Sequence, residues 1–310
     1  MKDTHPHKAT QAGLLAGIAA YVMWGFFPAY FKWTASVAPM EILAHRIIWS
    51  LPFAALIITI RKQWPEVIKA LLRPKTLLAL ALAALFIGGN WGLYIWAVQN
   101  NHIFQASLGY YINPLIFVLV GVVFLGESLS RLQTMAVLFA CVGVGLLTWY
   151  GGEFPWIALV LATSFTLYGI IRKQVKIGAV PGLFVEVLLL FLPALSYILY
   201  LAVHERLDFL QLGPGMSSLL VLAGPLTVLP LVAFAFAARR LRLSTIGFLQ
   251  FIGPSLQFLM GVVYGEPLTP AVLWCFGFIW LAASVFTLDA LRKYRRDKAP
   301  ILMPERPGEL

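Results

Sequence analysis

Apolar residues in this chain run in long unbroken stretches, not in the alternating or one-faced patterns of soluble strands and helices. Crossing a bilayer as a helix takes about 20 apolar residues. Ten stretches approach or meet that length, near residues 12–33, 39–60, 76–98, 105–125, 133–150, 155–172, 181–203, 216–238, 244–264 and 270–291. The fifth and sixth are separated by little more than Gly151-Gly152-Glu153-Phe154. On pattern alone, the reading is an all-α polytopic membrane protein.

A repeat justifies splitting that pair. Ile112, Asn113 and Pro114, then Gly121-Val122-Val123-Phe124, Gly126-Glu127 and Leu129, reappear as Ile252, Gly253 and Pro254, then Gly261-Val262-Val263-Tyr264, Gly265-Glu266 and Leu268. Weaker matches extend it: Trp24-Gly25 with Tyr168-Gly169, and Pro39 and Pro52 with Pro181 and Pro193. The chain thus divides into a first five-helix repeat (1–150), a second (151–291) and a basic tail (292–310). An odd number of helices per repeat makes the second copy enter the membrane in the opposite direction. The expectation is ten transmembrane helices as two inverted repeats, an arrangement suited to alternating access.

Charge supports the count. Of 23 Lys and Arg residues, twenty fall in segments assigned to one side; only Lys32 and Arg206 fall on the other, and Arg46 lies within a helix. By the positive-inside rule both termini are cytoplasmic. The same skew explains the net charge of +10 without nucleic acid, because the basic residues sit between apolar stretches. The first stretch is expected to remain as a signal anchor. The tail beyond Arg292 is expected to lie near anionic headgroups. Cys141 and Cys275 each sit in an apolar stretch, which points to packing and to no metal site. No phosphate-binding loop, zinc spacing or nucleophile elbow occurs, so neither an enzyme nor a bound cofactor is expected.

An ionisable group inside a spanning helix costs about 2.5–3.5 kcal/mol on insertion scales, so each one needs an account. The candidates for coupling or gating are Lys32, Glu41, His45, Arg46 and Glu186. Glu41 and His45 share a helix face, and Arg46 lies about 9 Å inside the outer end at 1.5 Å per residue. Two roles are open to them: a polar gate or anchor for a solute, or a charge cluster tying helices together. His45 and Glu186 each lie seven residues before a matched proline, which makes proton coupling a natural hypothesis.

Polar and aromatic residues at helical spacing supply cavity candidates: Tyr21, Trp24, Asn90, Trp91, Tyr94, Tyr110, Asn113, Gln250 and Gln257. Amides and aromatic rings around a central cavity suit a small, partly apolar or aromatic solute. The alternative role of each is interhelical bonding and space filling. Pro114 and Pro254 remove backbone hydrogen bonds in mid-helix and are hinge candidates. Glu127 and Glu266 are expected to anchor the short turns that follow their helices. Gly13 with Gly17, and Gly88 with Gly92, have the spacing of close helix contacts.

Several phrases carry a resemblance. Trp24-Gly25-Phe26-Phe27-Pro28-Ala29-Tyr30-Phe31-Lys32 and Glu41-Ile42-Leu43-Ala44-His45-Arg46-Ile47-Ile48-Trp49-Ser50 are two of them. Asn90-Trp91, Ile95-Trp96-Ala97-Val98, Ala106-Ser107-Leu108-Gly109-Tyr110-Tyr111-Ile112-Asn113-Pro114, and Ala238-Arg239-Arg240-Leu241 with Ser244-Thr245, Gln250 and Pro254 complete the set. Together they resemble the RarD group of the EamA branch of the drug/metabolite transporter superfamily. The resemblance implies ten helices, cytoplasmic termini, a bacterial inner membrane and export, in a group described as predicted permeases linked to chloramphenicol sensitivity. The expected partners are a small-molecule substrate, the lipid bilayer and protons, with monomer and homodimer both open. A metabolite importer or facilitator, and a non-transporting sensor or assembly partner, are the alternatives.

Overall fold

The computed structural model describes residues 5–125, 129–241 and 243–298. Glu127, Lys2 and the tail from residue 299 lie outside the described residues. The elements, all helical, are α1 (His5–Gly25), α2 (Phe27–Trp33), α3 (Pro39–Ile60), α4 (Trp64–Leu71), α5 (Pro74–Gln99), α6 (Ile103–Leu125), α7 (Arg131–Gly151), α8 (Trp156–Gln174), α9 (Ala179–Val203), α10 (Gly213–Ala238), α11 (Leu243–Leu249), α12 (Ile252–Val263) and α13 (Pro270–Lys298). Among them are ten stretches long and apolar enough to cross a membrane, from Thr10–Trp33 to Pro270–Arg292. Each falls on a stretch expected from the apolar pattern. Large apolar side chains such as Leu15, Leu56, Leu85, Leu192 and Val263 are exposed, as expected of surfaces that face lipid.

Local chemistry sets the helix ends. Prolines occupy the first or second position of α2, α3, α4, α5 and α10, where the missing N–H has no intrahelical acceptor to lose. Ser130 and Gln133 close a reciprocal capping box at the start of α7, and Gly152 ends that helix at φ 70°. Asp289 in α13 accepts the Ser130 hydroxyl at 2.8 Å, tying the fifth span to the tenth.

Two features were hidden in the apolar pattern. The basic 61–75 loop contains α4, whose Val67 and Ala70 are buried while Ile68 and Leu71 are exposed. Eight residues are too few to span, so α4 reads as an interfacial helix. The first and ninth spans are each broken. Pro28 cannot donate to the Trp24 carbonyl, and α1 stops at Gly25. Gln257 Nε2 from α12 takes that freed carbonyl at 3.2 Å. Pro254 likewise frees the Gln250 carbonyl where α11 gives way to α12, yet its repeat counterpart Pro114 lies inside the unbroken α6. Gly253 precedes Pro254 and adds low helix propensity, whereas Asn113, before Pro114, is held by the Thr166 hydroxyl at 2.8 Å.

The helices pack mainly across the sequence halves. α1 lies on α10 and α12, while α8 lies on α5 and α6; α3 lies on α9 and α10, while α9 also lies on α5. α6 packs on α12 and α7 on α13. Exchanging the halves maps this list onto itself. Two apolar cores result, one centred on α2, α3, α5, α9 and α10, the other on α6, α7, α8 and α13. Close approach depends on glycine: a Cβ on Gly143 would lie 2.9 Å from the Cys275 carbonyl oxygen, and one on Gly224 would overlap the Trp49 backbone. Gly13, Gly17, Gly88 and Gly92 also face neighbouring helices closely, with a Cβ on Gly13 falling 2.8 Å from Arg240 Cβ.

Candidate functional site

Arg46 is the centre of the polar interior. It projects from α3 and is 5% exposed. Its Nε donates to Thr227 Oγ1 of α10 at 2.8 Å. The guanidinium lies 4.2 Å from the ring centroid of Trp91 and 5.2 Å from that of Phe27, with Phe31 beyond at 6.0 Å. Such stacking stabilises a buried cation by about 0.5–2 kcal/mol per ring. Tyr30, Tyr94 and Tyr110 are near enough to interact electrostatically with it. The first four spans and the eighth therefore converge on one side chain.

From there a row of rings leads toward the opposite end of the bundle. Tyr94 meets Tyr110 at 5.7 Å, Tyr110 meets Phe165 at 6.1 Å, and Phe165 meets Tyr168 at 5.9 Å. Tyr110 and Tyr168 are half-buried. The Tyr168 hydroxyl donates to Glu186 Oε2 at 3.3 Å.

Glu186 is fully buried on α9 and pairs with Arg172 Nε of α8 at 3.2 Å. The apolar neighbours of Glu186 in sequence had made it look isolated. Arg172 was hidden as one of the cations of the 172–176 loop. Residues 175–178 join the two helices, but Arg172 lies three residues before that turn and Glu186 eight after it, so sequence spacing did not bring the pair together. Arg172 also donates to the Gly178 carbonyl at 3.3 Å, so the pair sits beside the turn that joins α8 to α9.

Glu41 and His45 do something different. The Glu41 carboxylate accepts the backbone N–H of Asp208 at 3.0 Å and of Phe209 at 3.1 Å, in the segment joining α9 to α10. His45 Nδ1 accepts from Trp49 Nε1 at 3.2 Å, so its neutral ring carries the proton on Nε2, 3.7 Å from Glu41 Oε1. The His45 ring lies 4.7 Å from the Phe209 ring. These residues hold the 204–212 segment over the end of the bundle. Burial and the neighbouring Glu41 charge push the Asp208 carboxyl above its ordinary range.

Lys32 donates to Asn101 Oδ1 at 2.5 Å. Close by, the Glu266 carboxylate accepts the backbone N–H groups of Ile103 and Phe104, the latter at 2.8 Å. Glu266 was expected to serve the turn into its own next helix. Instead it caps the start of α6 in the other half of the chain, where exposed N–H groups favour an anion.

The remaining candidates fall into three groups. Trp91, Tyr94 and Tyr110 surround Arg46 as described. Tyr21 and Trp24 meet edge to face at 5.4 Å beside Phe234 and adjoin Gln257 through the Trp24 carbonyl. Asn90 and Asn113 bind α5 and α6 to α8: Asn90 Nδ2 donates to the Leu161 carbonyl and to Ser164 Oγ, each at 2.9 Å. Gln250 is half-buried at the break before α12. Among the described residues no group of three His, Cys, Asp or Glu side chains is placed to hold a metal ion.

These features define a polytopic helical membrane protein with a polar centre enclosed between its halves. Residues 11–149 match the EamA-like transporter family. "Protein RarD" of Salmonella typhi is 44% identical, over 93% of this chain and 99% of that protein. An "Uncharacterized transporter" of Vibrio cholerae serotype O1 is also 44% identical, over 93% and 96%. The "Chloramphenicol-sensitive protein RarD" of Pseudomonas aeruginosa is 33% identical, over 92% and 96%. A solved crystal structure superposes with a TM-score of 0.59 at 20% identity, covering 91% of this chain and 99% of that one; it bears on the fold alone. The chain belongs to the EamA-like transporter family, in its RarD group, and is a multi-pass membrane transporter.

Proposed function

We propose that this transporter exports a small organic solute by alternating access across a bacterial inner membrane, with both termini in the cytoplasm. On this reading the halves are inverted repeats, and the solute occupies the space between Arg46 and Tyr168. The observation that carries the reading is a symmetry with one break in it. α1 and α2 pack on α12, and both of these spans are interrupted; their counterparts α8 and α6 pack on each other uninterrupted. Two equivalent helix pairs in unequal conformations are what a carrier needs if it opens to each side in turn. Export rests on the family resemblance alone.

Proton coupling would act through Glu186. A proton on Glu186 removes its attraction for Arg172 and loosens the tie between α8 and α9, linking the charge to one of the two conformations. His45, bonded to Trp49 and facing Glu41, has the weaker claim. Metabolite profiling of deletion and overexpression cells should identify a redistributed solute. Purified protein in proteoliposomes should then carry it, faster with a proton gradient. Absence of any redistribution and of any flux would remove the carrier reading. Equal flux with and without the gradient, unchanged in Glu186→Gln, would remove the coupling.

A further inference from the structure

We infer that Arg46 recognises an anionic group on the transported solute, a carboxylate or comparable oxyanion joined to a flat apolar body. This rests on the carrier reading above and names the class of its substrate.

The inference begins with missing partners. A guanidinium carries five N–H donors, and Arg46 spends one of them, Nε, on Thr227. Neither terminal nitrogen donates to an acceptor among the described residues. Among the described residues no carboxylate lies within 4.0 Å of Arg46. The carboxylates buried in the spans are engaged elsewhere: Glu41 on the Asp208 and Phe209 N–H groups, Glu186 on Arg172 and Tyr168, and Asp289 on Ser130.

The cation's neighbours are also donors or rings. Tyr94 is 2% exposed, and its buried hydroxyl has no hydrogen-bond partner. An unpartnered hydroxyl thus accompanies a guanidinium whose terminal nitrogens have no acceptor, and the half-buried Tyr110 ring lies beside them. The Phe27, Phe31 and Trp91 rings satisfy the face of the guanidinium, but an aromatic ring does not accept the in-plane N–H groups as an oxyanion does. The planar fork matches a carboxylate edge to edge. The rings of Tyr94, Tyr110 and Phe165 would flank the apolar body.

The test compares two probes of one shape, 2-naphthoate and 2-naphthamide, on the purified full-length protein in lipid nanodiscs. Binding is followed by tryptophan fluorescence, since Trp91 lies at the site, and by thermal shift. Wild type should bind the carboxylate at least about tenfold more tightly than the amide, since hydrogen bonds to charged groups are the stronger ones. Arg46→Gln should bring the two to parity, and Arg46→Lys should fall between them. Tyr94→Phe, which leaves the charge in place, should weaken naphthoate several-fold and leave naphthamide unchanged; it decides the matter if Arg46→Gln fails to fold. Equal affinities in wild type, no binding of either probe, or an unchanged preference in a folded Arg46→Gln or Tyr94→Phe protein each overturns the inference. Failure of the carrier reading looks different: the carboxylate preference and its dependence on Arg46 persist, but proteoliposomes move no solute.

Discussion

Removing Glu186 tests the energetic weight of the buried ion pair. At 3.2 Å, two unit charges attract by about 5 kcal/mol if the effective dielectric constant is near 20. Desolvation offsets much of that, more for Glu186 at 0% side-chain exposure than for Arg172 at 15%. Glu186→Gln keeps an acceptor for the Tyr168 hydroxyl and strands the Arg172 cation near the end of α8. Removing one member of a buried pair costs about 3–5 kcal/mol; the partial exposure of Arg172 lowers the expectation to about 2–3 kcal/mol. Arg172→Met should cost a similar amount by stranding Glu186. The double variant removes both charges and should be more stable than the sum of the single losses implies, by about 1–3 kcal/mol. The assay is a double-mutant cycle on reversible denaturation of detergent-solubilised protein, with monodispersity as a control for folding. Additivity within about 0.5 kcal/mol would refute the reasoning, because independent sites behave that way.

Gly224→Ala should destabilise the protein by about 1–3 kcal/mol, because its Cβ overlaps the Trp49 backbone, whereas Gly145→Ala meets nothing within 4 Å and should be neutral in thermal melts. Glu41→Ala should release the Asp208 and Phe209 amides, seen as faster hydrogen exchange there with α9 and α10 unchanged. Glu266→Ala should lower stability by about 1–3 kcal/mol by leaving the Ile103 and Phe104 N–H groups unbonded. Burial raises the Glu266 carboxyl above the usual range, against the pull of those amides and Lys32. The proton therefore favours the folded state; its contribution is full below the unfolded value of about 4.3 and is lost as pH rises through the native one. Glu266→Gln should abolish that part of the slope of melting temperature against pH.

The spans were legible because membrane crossing imposes one length and one composition on every segment. The end of α1 near Gly25 was legible only in part. Pro28 was visible, but whether a proline breaks a helix depends on what takes the freed carbonyl. Here the acceptor is satisfied by Gln257, 233 residues away. At Pro114 the helix continues, so the residue type alone decides nothing. Buried polar residues were found because their insertion cost marks them out, yet their roles depended on partners from other helices. Glu41 and Glu186 look alike in sequence, each the one carboxylate of a proline-containing span. One binds backbone amides of a loop; the other binds a guanidinium.

That contrast bears on where specificity resides. A repeat fixes shared features: the Gly25 and Gly169 contacts, with a Cβ falling 2.6 Å from Leu256 in one case and 2.5 Å from Phe117 in the other, hold α1 to α12 and α8 to α6 in corresponding ways. Shared contacts of this kind serve both halves equally and so cannot choose a solute. Arg46 has no such counterpart, because the residue after Glu186 is the buried, apolar Val187. The halves also differ where Gln257 reaches the Trp24 carbonyl, since the matched position, 140 residues earlier, is Phe117. A repeated unit that keeps its packing and differs at a charge and a backbone acceptor fits the function proposed above, in which the shared contacts would let the halves exchange conformations and the unmatched ones would select what is carried.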